Sequence, residues 1–147
     1  MAKYKNKLKA LTLIELMTVI AIIGILATIS AGFIKLYQPS IQLTGASRTL
    51  KANIEHARSQ TVAEQQIYGI HFTTPAGTYE LEKLGNTLET YTLPESITYV
   101  TVGPFVGDLI NFNKAGAVSE SGSIVLQNSK GDTKTITINP SGYVQSN

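Results

Sequence analysis

The chain has 147 residues, 43% of them apolar and 15% charged, and it contains no cysteine. That length allows one domain of ordinary size, and the missing thiols exclude disulfide scaffolds, thiol catalysis and cysteine-based metal sites. The net charge of +2 resides in a leader holding Lys3, Lys5, Lys7 and Lys9; beyond Ala10, 8 basic residues face 10 acidic ones, so basicity gives no ground for binding nucleic acid.

After this basic stretch, Leu16–Ile34 runs for 19 residues without a charge. A helix of that length, at about 1.5 Å per residue, matches the ~30 Å hydrocarbon core of a bilayer. Lysines crowd its N-terminal side and only Lys35 follows it, which places the N-terminus in the cytoplasm by the positive-inside rule. A cleaved secretory signal has a shorter apolar stretch, about 7–15 residues, followed by a small-residue cleavage site. Here the small residue, Ala10, precedes the apolar run. A plain signal anchor accounts for the lysines and the run, but not for Glu15, which lies at its edge between Ile14 and Leu16. A carboxylate at membrane depth costs on the order of 2.5–3.5 kcal/mol and tends to be functional. At the headgroup boundary it costs little.

The stretch Ala10-Leu11-Thr12-Leu13-Ile14-Glu15-Leu16, continuing through Val19–Ala27, closely resembles the N-terminal motif of type IV pilins and pseudopilins. The resemblance implies that a prepilin peptidase cuts between Ala10 and Leu11 and methylates the new amine of Leu11. It also makes Glu15 the fifth mature residue, the one that directs subunit assembly. Two positions depart from the family pattern, with Ala10 in place of glycine and Leu11 in place of phenylalanine. The motif has a physical logic. A buried amine and a buried carboxylate are each costly alone, whereas opposite charges ~4 Å apart attract by about 4 kcal/mol at an effective dielectric near 20. Pairing Glu15 with a neighbour's Leu11 amine neutralises both and sets the axial stagger.

Gly24, Gly32 and the small residues Ala21, Ala27, Ser30 and Ala31 suit close helix packing. Pro39 is expected to kink the helix or end its first part. Beyond it, Ile41, Leu43, Ala46, Leu50, Ile54 and Ala57 recur at three- and four-residue steps, opposite Gln42, Arg48, Lys51, Glu55, Arg58 and Glu64. That pattern predicts an amphipathic helix over Ser40–Gln65 with one face for a sheet. From Ile67 the pattern becomes strands: Ile67–Thr74, Thr78–Leu84, Leu88–Leu93, Ile97–Val102, Leu109–Phe112, Ser123–Gln127, Thr133–Ile138 and Tyr143–Gln145. Turn signals separate them, among them Pro75-Ala76-Gly77, Gly85-Asn86, Gly103-Pro104 and Asn139–Gly142. The predicted fold is α+β: a long N-terminal helix, transmembrane in its first half and amphipathic in its second, on an antiparallel sheet or sandwich.

Several patterns in this second half resemble the GspH/FimT-type minor pseudopilins and pilins. They are His56-Ala57-Arg58-Ser59-Gln60, Tyr68-Gly69-Ile70-His71-Phe72, Ile110-Asn111-Phe112 followed by Gly116, and Ile136–Val144. Some pilins of that group bind DNA through arginines in the final strand. Gly142-Tyr143-Val144-Gln145 has none, so nucleic acid is not expected as a partner.

Other candidate sites read as ordinary structure. His56 and His71 show no second histidine or acidic cluster at ligand spacing, so no metal is expected. Asn128–Asp132 carries oxygen side chains and Gly131, as calcium loops do, but it lacks a terminal glutamate and reads as a β-turn. The loop Gly103–Gly107 either offers an apolar tip to a partner or folds Phe105 back on the sheet. The serines lack a histidine–carboxylate arrangement and no phosphate-binding loop follows a strand, so no catalytic residue and no cofactor is predicted. The expected layout is a leader (1–10), a membrane or filament-core helix (11–34), an amphipathic helix (35–66) and a β-rich domain across the inner membrane (67–147). The resemblance implies a structural minor pseudopilin of type II secretion. Its expected partners are other pilin-like subunits, the prepilin peptidase and an inner-membrane assembly platform. The alternatives are a type IV minor pilin and a membrane-anchored periplasmic binding domain.

Overall fold

The structure is a computed structural model that describes residues 12–147, without the side chains of residues 30–32 and 34. Helix α1 runs over Leu13–Glu64, 52 residues, and includes Pro39. The proline does not end the helix. Its ring fixes φ at a helix-compatible value and removes one N–H donor, a local loss that the favourable helical sequence on both sides outlasts. The described residues up to Tyr37 form one compact unit and Gln38–Asn147 a second.

In the second unit α1 buries Leu43, Ala46, Ser47, Leu50, Ile54, Ala57 and Thr61. Ile41, expected on this face, is 69% exposed. It stands two residues from Leu43, about 200° around the helix, on the wrong side of the stripe. The helix stops where Gln65 takes a left-handed conformation, φ 56°. There the Gln65 amide Nε2 donates to the carbonyl of Val62, one of the carbonyls that a helix end leaves open.

Eight strands follow: β1 Tyr68–Thr73, β2 Thr78–Lys83, β3 Asn86–Thr92, β4 Ile97–Gly103, β5 Leu109–Asn111, β6 Gly122–Asn128, β7 Thr133–Ile138 and β8 Val144–Ser146. They form two four-stranded antiparallel sheets, in the orders β3-β2-β1-β5 and β4-β6-β7-β8. Alternation decides which side chains enter the core. Tyr68, Ile70 and Phe72 of β1, Tyr79 and Leu81 of β2, and Ile124, Leu126, Ile136 and Ile138 of the second sheet join the α1 stripe in one apolar cluster. Each such aliphatic side chain stabilises the fold by about 1.5–3 kcal/mol.

Polar contacts lock the helix to the sheets. The Thr61 hydroxyl donates to the Ala57 carbonyl at 2.9 Å and accepts the Tyr68 N–H at 3.1 Å. The Asn53 amide donates to the Tyr79 hydroxyl at 2.9 Å. Tyr79 stacks on Tyr91, with ring centroids 5.1 Å apart, and Phe72 meets Tyr99 edge-on at 5.9 Å.

Candidate functional site

Glu15 occupies the third position of α1, and its carboxylate is engaged within its own chain. Glu15 Oε2 accepts both the Thr12 N–H, at 3.1 Å, and the Thr12 hydroxyl, at 3.2 Å. The Glu15 N–H in turn donates to Thr12 Oγ1 at 3.3 Å. This reciprocal pair is a capping box, and it satisfies donors that the first helical turn leaves open. Its signature, threonine followed three residues later by glutamate, is visible in the sequence. Both Thr12 bonds converge on Oε2. Ala10 and Leu11 lie outside the described residues.

The helical turns after Glu15 are apolar on every side. Leu13, Ile14, Ile20, Ile23, Ile25 and Phe33 are each more than half exposed. A helix apolar all round requires cover from lipid or from other helices. Among the described residues no helix is long and apolar enough to cross a membrane. The uncharged run Leu16–Ile34 includes positions whose side chains are not described.

A second constellation gathers at the other end of α1. Arg58, assigned to the solvent face by periodicity alone, turns onto two loops: Nε donates to the Gly116 carbonyl at 2.8 Å and Nη2 to the Ser141 carbonyl at 3.2 Å. Gly142, at φ +77°, lies so close that a Cβ would stand 1.9 Å from the Gly116 oxygen and 2.9 Å from Arg58 Nε. Gly116, at φ +79°, leaves 3.0 Å between such a Cβ and the Val62 side chain. Three separate sequence patterns, around Arg58, Gly116 and Gly142, therefore meet at one guanidinium. What they build is a brace between the helix and the loops before β6 and β8.

The remaining candidates resolve as follows. In the Asn128–Asp132 turn, the Asn128 side-chain oxygen Oδ1 accepts the N–H groups of Lys130 and Asp132, each at 2.9 Å. The oxygens a calcium ion would need are thus committed to a β-turn. The Asp132 carboxylate accepts from the Asn128 amide at 2.8 Å and the Ser40 hydroxyl at 2.9 Å, and these bonds hold its pKa below the usual carboxylate value. In the Gly103–Gly107 loop, Phe105 packs inward and Val106 is left 79% exposed. Gly122 makes room for the Phe105 ring, because a Cβ there would meet it at 2.9 Å.

His71 requires a correction. The sequence shows no acidic cluster at ligand spacing, yet the strand pairing brings Glu80 and Glu82 to it. His71 Nδ1 lies 3.4 Å from Glu82 Oε1. The neighbouring strand β2 supplies both partners, so spacing along β1 could not reveal them. His56 has Gln60 as its neighbour on the same helix, at 3.5 Å.

A long N-terminal helix, apolar at its start and packed at its end on antiparallel sheets, defines the architecture of pilin-like proteins. Residues 5–31 match the prokaryotic N-terminal methylation motif, and residues 46–142 match the type II transport protein GspH. The chain belongs to the GspH family of type II transport proteins. No curated protein matches it significantly in sequence. Among solved structures it is similar to the minor pseudopilin EpsH of the Vibrio cholerae type 2 secretion system, with a TM-score of 0.59 and 10% identity over 72% of this chain and 96% of that one. It is also similar to the type IV minor pilin FimU of Pseudomonas aeruginosa, with a TM-score of 0.57 and 15% identity over 78% of this chain and 92% of that one. At such identities the likeness concerns the fold.

Proposed function

We propose that the chain is a minor pseudopilin of a type II secretion system, a structural subunit that assembles through its N-terminal helix into a short periplasmic filament. One observation carries the reading: a methylation motif over residues 5–31 and a GspH domain over residues 46–142 occur in a single chain. In this account residues 1–10 are a leader that the prepilin peptidase removes between Ala10 and Leu11, and Leu11 is methylated. Residues 11–34 anchor the subunit in the inner membrane before assembly and line the filament core afterwards. Residues 35–66 form the amphipathic helix, and residues 67–147 stand on the periplasmic side. Its partners are other pilin-like subunits, the peptidase and the assembly platform; its work is mechanical. The fold likeness to FimU keeps a type IV minor pilin as the alternative reading.

Before assembly Glu15 is held in the capping box; on assembly its Oε1 meets the Leu11 amine of a neighbouring subunit. The two roles separate by substitution. Glutamine preserves a capping box and alanine abolishes it, while both remove the charge. If the ionic pair drives assembly, Glu15→Gln and Glu15→Ala are both strongly defective in cross-linking to neighbouring subunits, with membrane insertion and leader cleavage intact. Normal cross-linking of Glu15→Gln would overturn the ionic role and leave only the cap. The subunits recovered from the wild-type cross-links, secretion pseudopilins or pilus pilins, decide between the two systems.

A further inference from the structure

The structure assigns a divalent-metal site of the zinc type to the outer face of the first sheet, made by His71, Glu80 and Glu82. It is independent of the pseudopilin reading and rests on strand register. Because Tyr68, Ile70 and Phe72 of β1 and Tyr79 and Leu81 of β2 face the core, Gly69, His71, Glu80 and Glu82 fall on the opposite face. Register sets His71 directly across from Glu80 and Gly69 across from Glu82.

One ligand atom from each of the three residues lies within 4.8 Å of the other two. The 3.4 Å between His71 Nδ1 and Glu82 Oε1 matches adjacent ligands on one ion. Tetrahedral bonds of about 2.0–2.1 Å place neighbouring donors ~3.3 Å apart. The donor set is prepared in two further ways. The Glu82 side chain is only 15% exposed, so its charge has little water to lean on and faces an imidazole. Glu80 Oε2 accepts the Thr87 hydroxyl at 2.8 Å, an outer contact that fixes the carboxylate's orientation.

Two glutamates two residues apart on one face repel each other, and a dication between them reverses that cost. The imidazole nitrogen selects zinc-type ions over calcium and magnesium, which take oxygen ligands. Three protein ligands leave a coordination position for water. Bound there, the ion staples β1 to β2 on the face opposite the core.

The test is calorimetric titration of ZnCl2 into the full-length protein in detergent at pH 7.5, with 1H–15N spectra of the histidine rings. The expected result is one Zn2+ per chain in the micromolar range, a shift of the His71 ring resonances, and an unmoved His56. His71→Gln and Glu82→Gln each weaken binding by about tenfold or more, and His56→Gln leaves it unchanged. The inference is overturned if Zn2+ fails to bind, if the His71 ring does not respond in the wild-type protein, or if Ca2+ binds as tightly as Zn2+. Because the ring spectra are read on the wild-type chain, a variant that failed to fold would not rescue the idea.

Discussion

Arg58 illustrates how a residue's chemistry can outrun its pattern. Helical periodicity puts it among polar neighbours, but its guanidinium has five donors and spans the two loop carbonyls that Gly116 and Ser141 present. Arg58→Ala leaves both without that partner, and is expected to lower stability by about 2 kcal/mol, read as a drop in the chemical-denaturation midpoint. Gly142→Ala meets the Gly116 oxygen and a strained φ together, and is expected to cost as much or more, about 3 kcal/mol. Tyr99 predicts the opposite sign. Its hydroxyl is buried without a hydrogen-bond partner among the described residues, and burial pushes its pKa far up. Tyr99→Phe removes the unpaired group and keeps the edge-on contact with Phe72, so stability should rise by about 1 kcal/mol. A loss of stability would mean that the hydroxyl has a partner.

At the scale of elements, two carboxylates tie strands and turns to α1. Glu64 accepts Lys83 Nζ and the Tyr68 hydroxyl, each at 2.7 Å, and these bonds lower its pKa from the ordinary 4.5. Asp132 is lowered from 3.8 by Asn128 and then Ser40. A depressed folded pKa means the unfolded chain takes up protons first as acid is added. The stabilisation is therefore complete above about pH 5 and is lost as pH falls through the ordinary carboxylate range toward the lowered folded values. Thermal midpoints between pH 3 and 6 should fall with acid, and more shallowly in Glu64→Gln and Asp132→Asn; an unchanged slope in both would refute the assignment. Most strand boundaries were legible, because Pro75-Ala76-Gly77 and Asn139–Gly142 punctuate alternating runs, whereas β3 begins at Asn86, two residues before the expected Leu88. Of the two outcomes expected at Pro39, the helix does not end there, since losing one hydrogen bond is a smaller effect than the helix-forming sequence on both sides. Which strands pair was not legible. β5 lies beside β1 and β4 beside β6 through contacts distant along the chain, and the meeting of His71 with Glu80 and Glu82 depends on the same kind of register.

At the scale of the whole molecule, the two compact units differ in what buries their apolar side chains. The unit from Gln38 onward contains its own core, which needs no partner to bury it. The unit up to Tyr37 exposes leucine and isoleucine on every side and is stable only in lipid or against other helices. In the proposed function, assembly supplies that second environment, and it requires the leader to be gone so that a Leu11 amine exists to meet a neighbour's Glu15. The central claim therefore turns on the N-terminus. Intact mass of the protein, purified from membranes that contain a prepilin peptidase, measures it directly. The account predicts loss of residues 1–10 and one added methyl group on Leu11. An uncut chain, or a cut C-terminal to Ser30, would contradict it.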